Sequence, residues 1–264
     1  MPRVATAAGE LVYEELGSGP ALLFISGTSF DRSAWAGQVA HLMGRYRCVT
    51  FDNRDVGESA LASRPYTPRY MVADALAVMD ALGVEQAHVV GHSLGGAVAQ
   101  ELALAVPARV RSLVLVDTWA RNDDYTRGLF RTWQRVRTRC DTREFFESAT
   151  LFAVGHTFLN AVGLETLVGM YASAPHPQDP QGFVRQVGAD LAHDTADRLG
   201  GIACPTLVIA GEEDTIFFRE HHDMLATGIP GARLVVLRKA GHMPQVESTD
   251  AFDRELERFL DAQT

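Results

Sequence analysis

One serine lies in a short glycine-rich segment, Gly91-His92-Ser93-Leu94-Gly95. The apolar run from Ala87 to Val90 precedes it, and a helical pattern rich in alanine and leucine follows it. A sharp turn from a strand into a helix needs small neighbours, and it exposes the serine hydroxyl beside the N–H groups that begin the helix. The pattern therefore predicts that Ser93 is a nucleophile for acyl transfer. The five residues alone also fit a turn with an idle serine, so the flanking strand and helix carry the prediction.

A serine hydroxyl needs a base to take its proton, and histidine suits that task near neutral pH. His242 follows the last apolar run of the chain, in Gly241-His242-Met243-Pro244, which places it at the carboxyl end of a strand. The other histidines occupy less suitable positions: His88 in a strand, His92 in the turn itself, His41 in a helix, His156, His176 and His193 in a helical region, and the adjacent His221 and His222, which we expect to be exposed. We therefore predict His242 as the base.

A third group must orient this histidine and stabilise its cation. Two aspartates end apolar runs: Asp214 follows Thr206 to Ala210, and Asp117 follows Val110 to Val116. Room for one helix and one strand separates Asp214 from His242, which gives the chain order Ser, Asp, His. We predict Asp214 as the acid and keep Asp117 as its alternative, with a helix-capping role open for Asp117.

Strands must position these residues at one edge of a sheet, and seven apolar runs are candidates. They are Leu11 to Glu15, Ala21 to Ile25, Arg47 to Phe51, Ala87 to Val90, Val110 to Val116, Thr206 to Ala210 and Arg233 to Leu237. The first two flank a tight turn and are expected to form a hairpin. The later runs alternate with helical stripes and are nearly continuous in apolar residues, as in strands buried on both faces. The sequence thus predicts an α/β fold with a mainly parallel sheet.

The alternation of strands and helices stops between residues 118 and 200. The pattern there is helical, and Leu129, Trp133, Val136 and Cys140 share one helix face. We therefore predict a core of residues 1–117 and 201–264, with residues 118–200 forming a helical cap over one end of the sheet.

Composition narrows the classes of partner and compartment. The chain has 264 residues, of which 47% are hydrophobic and 22% charged, which is ordinary for a soluble globular protein. A net charge of −9 disfavours binding to nucleic acid or to anionic membranes. The chain start lacks the pattern of a signal peptide, and Cys48, Cys140 and Cys204 fit neither a disulfide framework nor a zinc site. We expect a cytoplasmic protein.

The chain resembles the α/β-hydrolase superfamily over nearly its whole length. Besides the three candidate residues, Asp52-Asn53-Arg54-Asp55-Val56-Gly57-Glu58-Ser59 is similar to the D-x-R-G-x-G-x-S loop of that family, with Asp55 in place of the usual glycine. Within the superfamily it looks most like capped esterases and lactonases, including 3-oxoadipate enol-lactonase-like and polyketide methylesterase-like proteins. The resemblance implies a mostly parallel eight-stranded sheet flanked by helices, with a helical cap inserted after the sixth strand.

The resemblance also implies an oxyanion hole with two backbone donors. One is the N–H of Leu94, and the other is the N–H of Thr28 in the loop after the third strand. That loop usually starts His-Gly, whereas here it reads Ser26-Gly27-Thr28-Ser29, so the hydrogen bonds that support the loop must differ. The hydroxyl of Thr28 or Ser29 has two open roles, a contact with the substrate or a structural role in the turn.

Aromatic residues provide candidates for the substrate pocket. The predicted substrate-binding residues are Ser29, Phe145, Phe146, Phe152 and Phe217, with packing between cap and sheet as the alternative for the phenylalanines. The predicted function is hydrolysis of a small to medium, largely apolar carboxylic ester or lactone through an acyl-enzyme. Two alternatives stay open: a carbon–carbon bond hydrolase, which Met243 after the histidine disfavours, and a non-hydrolytic cyclase or ligand receptor. A small-molecule substrate is the expected partner, nothing in the sequence calls for a metal or another cofactor, and no oligomeric state is indicated.

Overall fold

The computed structural model describes residues 1–7 and 9–263. The strands are β1 (Arg3–Thr6), β2 (Gly9–Leu16), β3 (Ala21–Ile25), β4 (Arg47–Phe51), β5 (Ala87–His92), β6 (Val110–Val116), β7 (Thr206–Gly211) and β8 (Arg233–Leu237). They form one eight-stranded sheet in the order β1-β2-β4-β3-β5-β6-β7-β8. β2 is antiparallel to both of its neighbours, and the other pairs are parallel. The predicted fold class, a mostly parallel eight-stranded sheet, is confirmed.

The hairpin expected from the first two apolar runs is wrong. β2 pairs with β4, where Tyr13 lies opposite Phe51, and β3 lies on the other side of β4. The turn between β2 and β3 packs against the chain that leads into β4. The approach is so close that a Cβ at Gly17 would collide with the carbonyl oxygens of Met43 and Tyr46. β4 therefore inserts between the two strands, and β2 forms its hairpin with β1, a strand that the sequence patterns did not indicate.

Helices cover both faces of the sheet. The helices outside the long insertion are α1 (Ala36–Leu42), α2 (Pro68–Ala81), α3 (Leu94–Ala105), α9 (Arg219–Gly228), α10 (Pro244–Glu247) and α11 (Thr249–Asp261). Side chains of β3 alternate between two apolar clusters, with Leu23 joining α2, α3 and α9 on one face and Leu22 joining α1 and α11 on the other. This two-sided burial is the reason that the strands read as continuous apolar runs. Within the described part of the chain, no helix combines the length and the apolar character needed to span a bilayer.

Between β6 and β7 the chain forms five further helices. They are α4 (Asp124–Arg139), α5 (Thr142–Ala153), α6 (His156–Val162), α7 (Leu164–Ala172) and α8 (Pro180–Ala192). α4 packs against α8, and α5 packs against α7. A third apolar cluster, which contains Trp119, Phe130 and Phe217, joins these helices to the carboxyl end of the sheet. We refer to residues 118–200 as the helical insertion; its treatment as a separate cap stays an interpretation.

Candidate active site

Ser93 lies at the turn between β5 and α3 in a strained backbone conformation, with φ of 52° and ψ of −119°. Such a conformation costs about 1–3 kcal/mol and persists only where the surroundings enforce it. The surroundings here are backbone hydrogen bonds: Ser93 N donates to Val116 O at 2.9 Å, and Ser93 O accepts from Gly96 N at 2.9 Å. Thr118 Oγ1 also donates to Ser93 O at 2.8 Å. The nucleophile candidate is thus held in place by its neighbours on β6 and α3.

The glycines on either side of Ser93 permit the close approach of strand and helix. A Cβ at Gly91 would collide with the backbone of Gly95, and a Cβ at Gly95 would collide with the carbonyl oxygen of Ile25 at the end of β3. Any side chain at these positions would therefore force α3 away from the sheet, and the serine with it.

His242 and Asp214 form a buried hydrogen-bonded pair. His242 Nδ1 lies 2.9 Å from Asp214 Oδ2, and both residues are about one-twentieth exposed. The second oxygen, Oδ1, accepts from the N–H groups of Ile216 and Phe217 at 2.8 and 3.2 Å. Burial pushes the pKa of Asp214 upward, but the charge and the hydrogen bond of His242 outweigh it and keep the pKa below its ordinary value. The carboxylate thus orients the imidazole and leaves Nε2 free for a proton.

A hydrogen bond joins the serine turn to the histidine loop. His92 Nε2 donates to the carbonyl oxygen of His242 at 2.7 Å, and the two rings lie 4.9 Å apart. Burial lowers the pKa of His92 to about 3, so its ring is neutral and holds the loop as a fixed donor. Among the described residues, the hydroxyl of Ser93 makes no hydrogen bond with the His242 ring; bonds of this kind often tighten only when substrate binds.

Glu247 organises the histidine loop from the other side. Its carboxylate accepts from the N–H groups of Gly241 and Met243, each at 2.8 Å, and from Gly155 of the insertion at 2.8 Å. A single half-buried carboxylate therefore fixes the backbone on both sides of His242 and ties it to the start of α6. No sequence pattern indicates this residue, because its position in a short helix carries no motif.

Asp117 provides a second carboxyl group beside Asp214. Its Oδ1 accepts from Gly211 N at 2.9 Å, and His222 Nε2 lies 3.3 Å from the same oxygen. One oxygen each of Asp117 and Asp214 and one ring nitrogen of His242 lie within 4.8 Å of one another. Burial and the nearby charge of Asp214 raise the pKa of Asp117 well above its ordinary value. The two carboxyl groups thus differ in how readily they ionise, because the pKa of Asp117 is raised and that of Asp214 is lowered.

Among the described residues, these three groups form the one cluster whose possible metal-ligand atoms lie close enough together to bind the same cation. His242 Nδ1 and Asp214 Oδ2 are already joined by a hydrogen bond there, so a metal ion would have to replace the contact that orients the histidine. The arrangement therefore suits proton transfer better than metal binding.

The expected exposure of the adjacent His221 and His222 is wrong. Both residues are buried, because α9 turns one toward Asp123 of the insertion and the other toward Asp117 of the sheet. Burial lowers the pKa of His222 to about 4, so its ring stays neutral beside the carboxyl group of Asp117.

The loop after β3 lies directly against the nucleophile turn. A Cβ at Gly27 would come within 3.0 Å of Ser93 Cβ. The N–H groups of Thr28 and Leu94 donate no hydrogen bond within residues 1–7 and 9–263, so neither donor is satisfied by another described residue. The two hydroxyls of the loop are engaged elsewhere: Thr28 Oγ1 donates to Asp190 Oδ2 at 2.8 Å, and Ser29 Oγ donates to Gln178 Oε1 at 2.6 Å. Of the two roles left open for these hydroxyls, a substrate contact or a structural role, the contacts thus support the structural role.

Two of the predicted pocket phenylalanines are connected to the histidine loop, Phe217 directly and Phe146 through Tyr171. Phe217 is fully buried, stacks on Trp119 with ring centres 4.4 Å apart, and lies 5.6 Å from the His242 ring. Phe146 contacts Tyr171, whose hydroxyl lies 3.7 Å from the sulfur of Met243, the residue after the histidine.

The other two phenylalanines lie in different surroundings. Phe145 is buried against Phe183, with ring centres 4.8 Å apart, and the Arg137 guanidinium lies over it. Phe152 lines a cleft of about 430 Å³ between α4 and α5, together with Trp133, and none of the three candidate catalytic residues lines that cleft. The structure thus places Phe145 in the core of the insertion and the half-buried Phe152 in the cleft between α4 and α5.

A serine on a strained turn from strand to helix, joined through His92 to the loop of a buried Asp–His pair at the carboxyl ends of parallel strands, is typical of the class of α/β hydrolases. The chain belongs to this family: the family model described as "alpha/beta hydrolase fold" matches residues 20–249.

Relatives and solved structures agree with that assignment. A protein of Azorhizobium caulinodans named "Putative carbamate hydrolase RutD" is 32% identical over 262 residues, which cover 98% of each chain. A thermophilic esterase from Thermogutta terrifontis matches with a TM-score of 0.87 and 28% identity, covering 99% of this chain and 98% of its own. The enol-lactonase from Burkholderia xenovorans matches with a TM-score of 0.91 and 26% identity, covering 98% of this chain and 100% of its own.

Proposed function

We propose that this protein hydrolyses small to medium, largely apolar carboxylic esters or lactones, with Ser93 as nucleophile, His242 as base and Asp214 as the acid of a catalytic triad. The observation that carries the proposal is the 2.9 Å hydrogen bond between His242 Nδ1 and buried Asp214, at the same edge of the sheet as the strained Ser93 turn.

In the proposed reaction, Ser93 Oγ attacks the substrate carbonyl carbon while His242 Nε2 takes the hydroxyl proton. Asp214 stabilises the imidazolium that forms. The N–H groups of Leu94 and Thr28 donate to the oxyanion of the tetrahedral intermediate. The intermediate collapses to an acyl-enzyme as the leaving oxygen receives the proton from His242. A water molecule, deprotonated by His242, then attacks the acyl-enzyme; the bond to Ser93 Oγ breaks, His242 returns the proton to that oxygen, and the acid leaves.

The surroundings of His242 support an apolar substrate. Tyr171 lies between Phe146 and Phe30, with ring centres 5.6 and 6.2 Å apart, and contacts Met243 beside the histidine. Aromatic and thioether groups bind apolar acyl or alkoxy groups, and pockets for small molecules are largely lined by such residues. The esterase and enol-lactonase described above, which share the fold over nearly the whole chain, favour the same class of bond.

Hydrolysis of a carbamate is the second candidate. It is favoured by the relative named as a carbamate hydrolase, which covers almost the whole chain at 32% identity. The same nucleophile, base and oxyanion donors would act on a carbamate carbonyl, so the catalytic geometry suits both. The distinction must come from the groups that contact the rest of the substrate.

The nucleophile is tested with a fluorophosphonate probe, which phosphonylates activated serines. We expect the wild-type protein and the control Ser173→Ala to be labelled, because Ser173 is an exposed serine of the insertion. Ser93→Ala should stay unlabelled, as measured by mass spectrometry of the intact protein. A wild-type protein that resists the probe while a reference esterase reacts would refute the hydrolase proposal.

The bond class is tested by comparing kcat/KM for p-nitrophenyl esters of increasing acyl length, simple γ- and δ-lactones and a p-nitrophenyl carbamate. We expect the best ester or lactone to exceed the carbamate by about tenfold or more, since one well-fitted apolar contact contributes that much. A carbamate that exceeds every ester and lactone would replace the first candidate with the second.

A further inference from the structure

The two segments in which the sequence departs from the family pattern, the loop that starts at Ser26 and the loop that contains Asp55, contact the same helix of the insertion. This helix, α8, carries Arg185, Gln186 and Asp190, of which the last two are four residues apart and share a face. Gln186 and Asp190 are almost completely buried, at 0% and 1% exposure, against the loops that follow β3 and β4. Buried polar side chains of this kind have hydrogen-bond partners in stable structures, so their partners show what the helix holds.

Asp55 fastens α8 to the sheet. Its carboxylate accepts two hydrogen bonds from Arg185, from Nε at 3.0 Å and from Nη2 at 2.6 Å, and a third from Ala62 N at 2.9 Å. Gly182, one turn earlier, lies against the same residue, because a Cβ there would come within 3.1 Å of Asp55 Cβ. This bidentate pairing of the Arg185 guanidinium with the Asp55 carboxylate fixes both the position and the orientation of the arginine. A glycine at position 55 would offer no such contact.

From this anchored helix, two side chains reach the loop after β3. Gln186 Oε1 accepts from Ser29 N at 2.9 Å, and its Nε2 donates to Arg54 O at 3.1 Å. Asp190 Oδ2 accepts from Thr28 Oγ1 at 2.8 Å. Gln178 completes the contact by donating to Gln186 Oε1 at 2.8 Å and accepting from Ser29 Oγ.

The core of the protein supports only the start of this loop. Asn53 Nδ2 donates to Ser26 O at 2.8 Å, and Ser26 Oγ donates to Asp31 O at 3.1 Å. Ser29 has a φ of 69°, a left-handed conformation that a serine holds only under constraint. The side-chain contacts that constrain Thr28 and Ser29 come from α8 and from the segment just before it.

We propose that α8 positions the oxyanion donor, the N–H of Thr28, through Gln186 and Asp190, and that the Asp55–Arg185 ion pair holds α8 at the required place. These are positioning residues, since they act through the loop. The inference rests on the proposed function, because it assigns a task to the loop of that same site. Support of an oxyanion donor benefits the transition state more than the bound substrate, so its loss lowers kcat and leaves KM nearly unchanged.

The test uses the full-length protein and the best ester of the panel. We expect Arg185→Met and Asp190→Leu each to lower kcat by about 10- to 100-fold with KM within about twofold, which is less than the loss for removing an oxyanion donor outright. Asp190→Asn keeps an acceptor for Thr28 and should restore most of the kcat lost in Asp190→Leu. The matched control is Arg143→Met, which removes an exposed arginine that pairs with Glu147 and Glu165, away from the loop.

The outcomes separate this inference from the proposed function. If Ser93 labels and the wild type turns over, but folded Arg185→Met and Asp190→Leu keep kcat within twofold of the control, the positioning role is wrong. A tenfold rise in KM with unchanged kcat would also overturn it, because α8 would then bind the substrate. Arg185→Lys, which keeps the charge and loses the two-pronged contact, decides the question by the same criterion if Arg185→Met does not fold. An unlabelled wild type would instead refute the function itself.

Discussion

The two sides of Ser93 are built in different ways. On one side, Asp214 and His242 lie on loops that leave neighbouring strands, and backbone N–H groups at Ile216 and Phe217 hold the carboxylate. On the other side, the loop that carries Thr28 is held by side chains of α8, which belongs to the insertion. The first side therefore depends on the sheet, whereas the second depends on how the insertion packs. Changes on the sheet side should affect proton transfer by His242, and changes on the other side should affect how well the oxyanion is stabilised.

The largest effect is expected from the two neighbouring carboxyl groups on the sheet side. Asp214→Asn should lower kcat by about 10⁴-fold, because an amide at this position favours the wrong imidazole tautomer and does not stabilise the cation. Asp117→Asn should lower kcat by less than about tenfold, because burial and the charge of Asp214 raise the pKa of Asp117 and so disfavour its charged form. Steady-state kinetics of both variants, with thermal unfolding as a check on folding, measures the difference.

The reverse ranking would be decisive. If Asp117→Asn lost as much activity as Asp214→Asn, the charge that supports His242 would have to reside on Asp117, and the assignment of the acid would move from β7 to β6.

Two adjacent phenylalanines sharpen the comparison within the insertion. Phe145 is buried against Phe183, so Phe145→Ala should lower the free energy of unfolding by about 3–5 kcal/mol. Phe146 is only half-buried and contacts Tyr171, so Phe146→Ala should cost less stability and instead raise KM for the larger esters. Urea denaturation and the ester panel measure the two effects. Equal stability losses would contradict the different packing of the neighbours, and an unchanged KM for Phe146→Ala would remove it from the pocket.

The smallest effect is a pH dependence that arises at Asp190. Burial raises the pKa of this carboxyl from 3.8 to about 8, although the hydrogen bond from Thr28 opposes the shift. The folded protein therefore keeps a proton that the unfolded chain releases, so Asp190 lowers stability progressively as pH rises from about 4 to 8. Asn cannot ionise. The Tm of Asp190→Asn relative to wild type should therefore increase between pH 5 and pH 9, by about 2 °C or more.

Asp194→Asn is the matched control for this titration. Burial opposes the shift, but the hydrogen bond from Arg121 lowers the pKa of Asp194, so this carboxylate is charged throughout that pH range. Its Tm difference from wild type should stay constant from pH 5 to pH 9. A constant difference for Asp190→Asn as well would show that Asp190 ionises in the folded protein as it does in the unfolded chain.

The predictability of the site from sequence follows the same division. Ser93 and its glycines form a short pattern. Gly91 is required because the backbone of Gly95 approaches it, and Gly95 is required because the carbonyl oxygen of Ile25, at the end of the neighbouring strand β3, approaches it. Asp214 and His242 follow apolar runs, and the carboxyl ends of parallel strands meet at one edge of the sheet. These features depend on chain-local signals that a sequence displays directly.

The remaining features depend on contacts between distant parts of the chain. Asp55 and Arg185 are 130 residues apart, and neither position has a pattern that indicates the other. The expected hairpin failed for a similar reason, because the insertion of β4 between β2 and β3 is a choice of partner that no turn residue encodes. His222 was expected at the surface, since adjacent side chains on a helix diverge, yet it lies against buried Asp117.

The ion pair between Asp55 and Arg185 sets natural boundaries for recombination among relatives. A chimaera that received residues 118–200 from a relative without an arginine at the position of Arg185 would leave the Asp55 carboxylate buried without its partner, at a cost of several kcal/mol. The segment that must be exchanged as one unit is therefore larger than the insertion and includes the loop after β4. Diversification of this protein should proceed by joint exchange of the two segments, and a library that recombines them as one block should yield more folded members.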